Sequence, residues 1–132
     1  VVCADPFEKD SRKMLNLGHT AGHAFEALSM SCTTPWLHGE AIAAGLLVAL
    51  QLSVRLAHLD SSFASYWEKF LLTNFNFPPF EGIDADQVVR MVSFDKKNVG
   101  RSARFVLLKG PGVPVLDQAV PDDELLMLFE ML

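Results

Sequence analysis

The feature that most constrains the fold is an uninterrupted run of ten apolar residues, Ala41 to Leu50, which ends at Gln51. A helix that spans a bilayer needs about 20 apolar residues, so the run predicts no membrane crossing. A helix without a polar face has to be covered by other elements on all sides. The run therefore predicts a buried central helix. The 132 residues, with 50% hydrophobic content, suffice for one core around it.

Turn and helix signals along the chain predict a mainly α, multi-helical domain with at most one small β-hairpin, near residues 103–116. Asp10 or Ser11, Asp84 and Pro121 stand where helices are expected to begin. Strand-forming residues on both sides of a Gly-Pro-Gly turn favour the hairpin. We expect a single domain over residues 1–132, with helices over about 10–29, 38–58, 61–74, 84–94 and from 121 onwards.

Four polar residues of the first predicted helix share one face, within an arc of about 60° at about 100° per residue. They are Arg12, Asn16, His19 and His23. Apolar side chains at the intervening positions point away from this stripe, so a packing face lies opposite a cation, an amide and two imidazoles. Gly18 and Gly22, one turn apart beside the stripe, predict the close approach of a partner helix or a ligand.

Imidazoles four residues apart on a helix, as at His19 and His23, lie within reach of one divalent metal ion. The pair alone is a weak signal, because a polar helix face that happens to carry histidines is the commoner explanation. A third histidine, His38, stands directly before the apolar helix with Glu40 close by, and this favours a site. The residues between His19 and His23 include no glutamate, so the pattern is not that of a zincin.

Three other polar residues of the same two helices have more than one interpretation. Glu40 either orients His38 as its hydrogen-bond partner or is an acidic residue favoured in the first turn of a helix. Glu26, at the edge of the stripe, either accepts a hydrogen bond from a stripe histidine or belongs to a solvated helix surface, and we favour the surface. His58 is interpreted as a favourable charge near the end of the second helix.

Charge and cysteine content limit the partners and the compartment. The net charge is −5, and the largest basic cluster is Lys96-Lys97 with Arg101 and Arg104 nearby, which suits one small anion and argues against nucleic acid. Two cysteines without a framework pattern are expected to stay reduced. Together with the lack of a signal peptide or lipidation motif in this sequence, they predict a cytoplasmic protein.

Four blocks of the sequence closely resemble the carboxy-terminal domain of 3-dehydroquinate synthases, in the same order and with the same spacing. They are RKMLNLGHTAGHA from Arg12, HGEA from His38, DKKN from Asp95 and RFVLL from Arg104. The resemblance is specific, because four separate blocks agree over nearly the whole chain. Related sugar-phosphate cyclases, such as 2-deoxy-scyllo-inosose synthase, share much of this pattern and are the nearest competitors.

The resemblance implies a metal site of two histidines. In the family, the first histidine of the His-Thr-x-Gly-His block and the histidine of His-Gly-Glu bind a catalytic ion, here Zn²⁺ or Co²⁺. The matching residues are His19 and His38. His23 is then not a ligand, and it matches a catalytic histidine that contacts the substrate phosphate.

Other matching residues are implied to bind the two anionic ends of the substrate. Asn16 matches an asparagine of the phosphate region. Arg12 matches an arginine that binds the substrate carboxylate, a task suited to a planar bidentate donor. One lysine of the catalytic pair Lys96 and Lys97 matches a phosphate-binding lysine, and the resemblance does not distinguish between them.

The implied activity is the conversion of 3-deoxy-D-arabino-heptulosonate 7-phosphate to 3-dehydroquinate and phosphate, in the shikimate pathway of aromatic amino acid biosynthesis. Family members are much longer, and their amino-terminal domain holds NAD and provides a glutamate as the third metal ligand. This chain has no glycine-rich loop between a strand and a helix. We expect it to be one domain of a longer enzyme, inactive alone and homodimeric at full length.

Two classes of function are therefore consistent with these sequence features. The first is the metal- and substrate-binding part of an NAD-dependent cyclase, acting on this substrate or on that of a related sugar-phosphate cyclase. The second is a non-enzymatic helical module in which the same histidines hold a structural ion. A structural zinc site is closed by four protein ligands. Both classes need the rings of His19 and His38 to converge, and a separation above about 10 Å would exclude a shared ion.

Overall fold

The computed structural model describes residues 16–31, 35–77, 84–94 and 103–130. Over these ranges the chain forms five α-helices and one two-stranded antiparallel sheet, which confirms the prediction of a mainly α fold with a single hairpin. The elements in chain order are α1 (His19–Ser29), α2 (His38–Leu56), α3 (Ser61–Asn74), α4 (Ala85–Phe94), β1 (Ala103–Gly110), β2 (Val113–Val120) and α5 (Asp122–Glu130).

The apolar run forms the middle of α2, which is the central helix of the fold. Nine residues of α2 are buried, and α1, α3 and β1 pack against it. The helix is longer than the ten-residue run, so by length and composition alone it could cross a membrane, with a mean hydropathy of 1.4. However, 56% of this stretch is buried inside the structure, as in the core helix of a folded domain. The predicted role of a buried central helix is confirmed.

Helices α1 and α2 run antiparallel and touch through glycines. Gly18 faces Leu46, and Gly22, one turn later in α1, faces Ile42, one turn earlier in α2. The approach is closest at Gly45, where a Cβ atom would lie 1.9 Å from the Gly18 carbonyl oxygen and 2.7 Å from the Gly22 nitrogen. The close approach predicted for Gly18 and Gly22 is therefore made by a partner helix.

The first helix begins later than the sequence predicts. A helix is expected from about residue 10, but α1 starts at His19, because the preceding Gly18 has a φ of +81°. Glycine adopts this left-handed conformation without the steric cost that a Cβ atom imposes. Asn16 consequently lies in a separate short turn, and not on the helical face of His19 and His23. Within the described residues, the predicted stripe is reduced to these two histidines.

The hairpin of β1 and β2 is closed by Pro111 and Gly112. Gly112 has a φ of +69°, which suits a glycine after proline at the centre of a turn. Buried Ser53 links the sheet to α2, because its hydroxyl donates to the Ala49 carbonyl and accepts a hydrogen bond of 2.9 Å from the Leu108 nitrogen. The sheet is thereby attached to the central helix by a buried hydrogen bond, and its inward side chains Ala103, Phe105 and Leu107 join the core.

The main core is assembled around Phe25 of α1. Its ring stacks on Trp36 with centroids 5.6 Å apart and meets Phe129 of α5 edge-on at 5.8 Å. Helices α4 and α5 close this core, and a smaller apolar cluster joins α2 to α3. The two tryptophans therefore differ: Trp36 is buried, whereas Trp67 on α3 is 40% exposed beside other exposed rings.

Replacement of Gly45 by alanine tests the importance of the α1–α2 contact. The new methyl group would overlap the Gly18 carbonyl, which belongs to the backbone and cannot rotate away. We expect Gly45→Ala to lower the free energy of unfolding by about 3 kcal/mol or more. The change is measured as the shift in the midpoint of urea denaturation.

The matched control is Gly39→Ala in the first turn of the same helix. A Cβ atom there meets nothing within 4 Å. Alanine is the better helix former, so we expect Gly39→Ala to be neutral or to stabilise by up to about 1 kcal/mol. Equal midpoints for the two variants would show that the glycine contact does not control the packing.

Candidate functional site

The start of α2, and with it His38, is fixed by the segment that precedes the helix. Trp36 is buried against Phe25. Its backbone nitrogen donates a 3.0 Å hydrogen bond to Ser29 Oγ, and the Ser29 hydroxyl donates to the Glu26 carbonyl at 2.8 Å. Because Trp36 is held to the end of α1 in this way, the position of the first residue of α2, His38, is fixed relative to α1.

The start of α1 places His19 in a comparable way. His19 is the first residue of the helix, directly after the left-handed Gly18. Its Nδ1 lies 3.3 Å from the Leu17 carbonyl oxygen. A carbonyl oxygen only accepts hydrogen bonds, so this contact assigns the proton to Nδ1 and leaves the lone pair on Nε2. His19 is half-buried, and its Nε2 takes no part in this contact.

Three imidazoles from two helices meet at this point. The ring centroids are 5.4 Å apart for His19 and His23, 6.4 Å for His19 and His38, and 6.2 Å for His23 and His38. Rings that share one tetrahedral Zn²⁺ have centroids about 5 Å apart, given Zn–N bonds of about 2.0 Å. The observed distances are therefore close to those of shared ligands, and the convergence required of His19 and His38 is met.

The donors on this chain fit an ion that also takes ligands from elsewhere. Among residues 16–31, 35–77, 84–94 and 103–130, no group of three His, Cys, Asp or Glu side chains is arranged to hold a metal ion as it stands. His19 and His38 nevertheless both carry an engaged Nδ1, which orients Nε2 as the available donor. A pair of imidazoles leaves coordination positions open, as catalytic metal sites require and structural sites do not.

His23 differs from its two neighbours. It is exposed on α1 and makes no hydrogen bond with any other residue that the structure describes. Within residues 16–31, 35–77, 84–94 and 103–130, no hydrogen bond engages either of its ring nitrogens. His58 is not part of the cluster, because it lies beyond the opposite end of α2, a helix of 19 residues that is about 28 Å long.

Of the other predicted site residues, the structure describes only Asn16. Asn16 is half-buried in the turn before Gly18, three residues before the start of α1. Arg12, Lys96 and Lys97 lie outside the described residues, so their predicted roles stay predictions.

The two glutamates near His38 have different partners. Glu40 Oε1 accepts a 2.8 Å hydrogen bond from the Leu37 nitrogen and so caps α2. Glu26 Oε2 lies 2.9 Å from His38 Nδ1, across the helix interface. Glu26 is 28% exposed and contacts a histidine outside the predicted stripe, so neither of its two interpretations describes it in full. The sequence carried no signal for this pair, because the contact depends on how the two helices align.

A separate cavity of about 370 Å³ lies between α2, α3 and β1. Its walls are apolar side chains, among them Leu50, Phe63 and Trp67, and none of the three histidines lines it. A cavity without polar groups cannot orient an anionic ligand, because such sites need a few well-placed donors. The histidine cluster is therefore the candidate site.

The fold is shared with solved cyclase structures. A 2-deoxy-scyllo-inosose synthase complexed with carbaglucose-6-phosphate, NAD⁺ and Co²⁺ superposes with a TM-score of 0.77 at 23% identity, over 96% of this chain and 37% of that one. A second structure of 2-deoxy-scyllo-inosose synthase gives a TM-score of 0.72 at 26% identity, over 96% of this chain and 34% of that one.

The sequence comparisons define the family. Residues 1–98 match the family model described as 3-dehydroquinate synthase C-terminal. The 3-dehydroquinate synthase of Leptospira interrogans is 39% identical over 96% of this chain, and that of Halorhodospira halophila is 43% identical over 88%. The chain belongs to the 3-dehydroquinate synthase family and corresponds to its carboxy-terminal domain. It spans about a third of the length of these relatives, 34% and 32% respectively.

Removal of the Ser29 hydroxyl tests the anchor before α2. In Ser29→Ala the buried nitrogen of Trp36 loses its acceptor, and an unsatisfied buried donor costs about 1–3 kcal/mol. We expect the free energy of unfolding to fall by this amount in urea denaturation. The control is Ser31→Ala, since the exposed Ser31 hydroxyl also donates to a carbonyl three residues earlier but accepts no bond from Trp36. Equal losses in both variants would contradict the anchor.

Proposed function

We propose that this chain is the metal- and substrate-binding part of a 3-dehydroquinate synthase. The proposed reaction converts 3-deoxy-D-arabino-heptulosonate 7-phosphate to 3-dehydroquinate and phosphate. It is a carbon–oxygen lyase reaction of the shikimate pathway. The observation that carries the proposal is the convergence of three imidazoles from α1 and α2, within 6.4 Å of each other, in a chain of this family.

His19 and His38 would hold the ion, Zn²⁺ or Co²⁺, through Nε2. Their Nδ1 atoms are already engaged by the Leu17 carbonyl and by Glu26, the arrangement common among metal-binding histidines. A further ligand would come from the part of the enzyme that this chain does not span. When bound, the ion supplies Lewis acidity at a substrate hydroxyl and at the ketone formed from it.

The remaining site residues would bind and orient the substrate. The exposed His23 ring suits a hydrogen bond to the phosphate and can hold a proton there. Asn16 would donate its amide to the same group. Arg12 would bind the carboxylate bidentately, and the pair Lys96 and Lys97 would neutralise the phosphate. Both anionic ends would then be fixed, so that phosphate leaves from one geometry.

The whole enzyme would need partners that this chain does not provide. NAD would be bound by an amino-terminal domain, and the complete protein would be a cytoplasmic homodimer. Because the chain covers about a third of its relatives, we expect it to release no phosphate by itself. Its function in isolation would be limited to weak metal binding.

A related sugar-phosphate cyclase is the second candidate. The fold similarity to 2-deoxy-scyllo-inosose synthase supports it. The identities of 39% and 43% to 3-dehydroquinate synthases, against 23% and 26% to the solved cyclases, favour the first candidate. A non-enzymatic module is less well supported, because a structural ion needs four protein ligands and the described histidine cluster leaves its coordination incomplete.

A chimeric enzyme tests the proposal. This chain replaces the matching third of the Leptospira interrogans 3-dehydroquinate synthase, and phosphate release from 3-deoxy-D-arabino-heptulosonate 7-phosphate is assayed with NAD and Zn²⁺. We expect activity in the chimera. His19→Ala and His38→Ala should each lower kcat/KM by more than about a hundredfold, because loss of a ligand exceeds the typical effect of an outer partner.

The control is His58→Asn, which removes a histidine far from the cluster. Asparagine tolerates the positive φ of 61° at this position, so the fold should persist. We expect the control to keep the activity of the chimera. Phosphate release only from a hexose 6-phosphate would favour the second candidate. A folded chimera that releases phosphate from neither substrate would contradict both.

A further inference from the structure

We propose that Glu26 is a positioning residue for His38. Its carboxylate holds the His38 ring in the Nδ1–H tautomer, so that Nε2 presents its lone pair to a metal ion. This inference rests on the proposed function and deepens it, since it names the residue that prepares one of the two ligands. Glu26 Oε2 and His38 Nδ1 are 2.9 Å apart, and an ionised carboxylate can only accept, so Nδ1 carries the proton.

The pairing follows from the packing of the helices. The glycine contacts of α1 with Leu46 and Ile42 of α2 are separated by four residues on each helix. Glu26 and His38 occupy the next step of this series, one further turn along α1 and one turn back along α2. The backbone contact at the glycines fixes the alignment of the helices. Glu26 is therefore placed opposite His38 by the fold itself.

The alternative to a positioning role is that Glu26 and His38 form an ion pair that only stabilises the surface. This alternative explains fewer of the observed contacts. The side chains of Glu26 and His38 are 28% and 62% exposed, and pairs at such positions contribute only about 0–1 kcal/mol. The alternative also gives no account of the matching contact at His19, where Nδ1 lies 3.3 Å from the Leu17 carbonyl oxygen. In both candidate ligands, Nδ1 faces a hydrogen-bond acceptor, so that Nε2 is left for a metal ion. This is the pattern expected of metal-binding histidines.

The tautomer of His38 tests the proposal without any metal. Glu26→Gln and Glu40→Gln each remove one carboxylate charge at nearly constant volume, but only Glu26 contacts the ring. Nitrogen NMR of the full chain at about pH 8.5, where histidine is mostly neutral, reports the protonated ring nitrogen. We expect Nδ1–H in the wild type and in Glu40→Gln. Glu26→Gln should give a mixture of tautomers, because an amide can accept or donate.

A wild-type chain with mostly the Nε2–H tautomer would overturn the proposal, and so would an unchanged tautomer in Glu26→Gln. Thermal unfolding followed by circular dichroism checks that both variants fold. We expect their midpoints to stay near that of the wild type, because a surface ion pair contributes only about 0–1 kcal/mol and Glu40→Gln keeps an oxygen that accepts from the Leu37 nitrogen.

Titration with Co²⁺ alone tests the consequence for the metal. Paramagnetic shifts of the His19 and His38 ring protons in the full chain give the affinity. We expect Glu26→Gln to weaken binding about 10- to 100-fold and Glu40→Gln to change it less than about twofold. Equal affinity in the wild type and Glu26→Gln would overturn the positioning role while the metal site stands. Absence of shifts at both histidines in the wild type would instead overturn the proposed metal site, and the positioning role with it.

Discussion

The antiparallel contact between α1 and α2 is the constraint on which the rest of the structure depends. Gly18, Gly22 and Gly45 bring the two backbones so close that a single Cβ atom at Gly45 would overlap a carbonyl oxygen. Contact between backbones permits fewer alignments than contact between flexible side chains, because the backbone cannot change rotamer. The interface that covers the apolar run of α2 therefore also determines which residues of the two helices face each other.

The candidate site is built from the ends of these same helices. His19 begins α1, and His38 begins α2. Trp36, two residues before α2, is buried and donates a hydrogen bond to Ser29 at the end of α1, so His38 lies close to His19. Each of the two rings uses Nδ1 within the chain and leaves Nε2 available. In the proposed site the donors would thus be oriented before a ligand binds, which would lower the cost of ordering them.

Much of the fold was accessible from local patterns. Helix α3 coincides with the predicted range, α4 and α5 begin where Asp84 and Pro121 indicate, and the two strands of the hairpin are joined at the Gly-Pro-Gly turn. These signals are local, because caps, prolines and turns act within a few residues. The start of α1 was predicted wrongly, since a helical pattern continues through Gly18. Its left-handed conformation accompanies the packing of α2 against that position.

The sequence by itself determined the helical elements, the buried central helix, the three imidazoles and, through four ordered blocks, the resemblance to the 3-dehydroquinate synthase family that the comparisons confirm. Only the tertiary structure decided that Glu26 contacts His38 while Glu40 caps α2. Local propensity describes residues a few positions apart. Glu26 and His38 are separated by twelve positions and belong to different helices, so their distance depends on how two backbones align, which no single helix encodes.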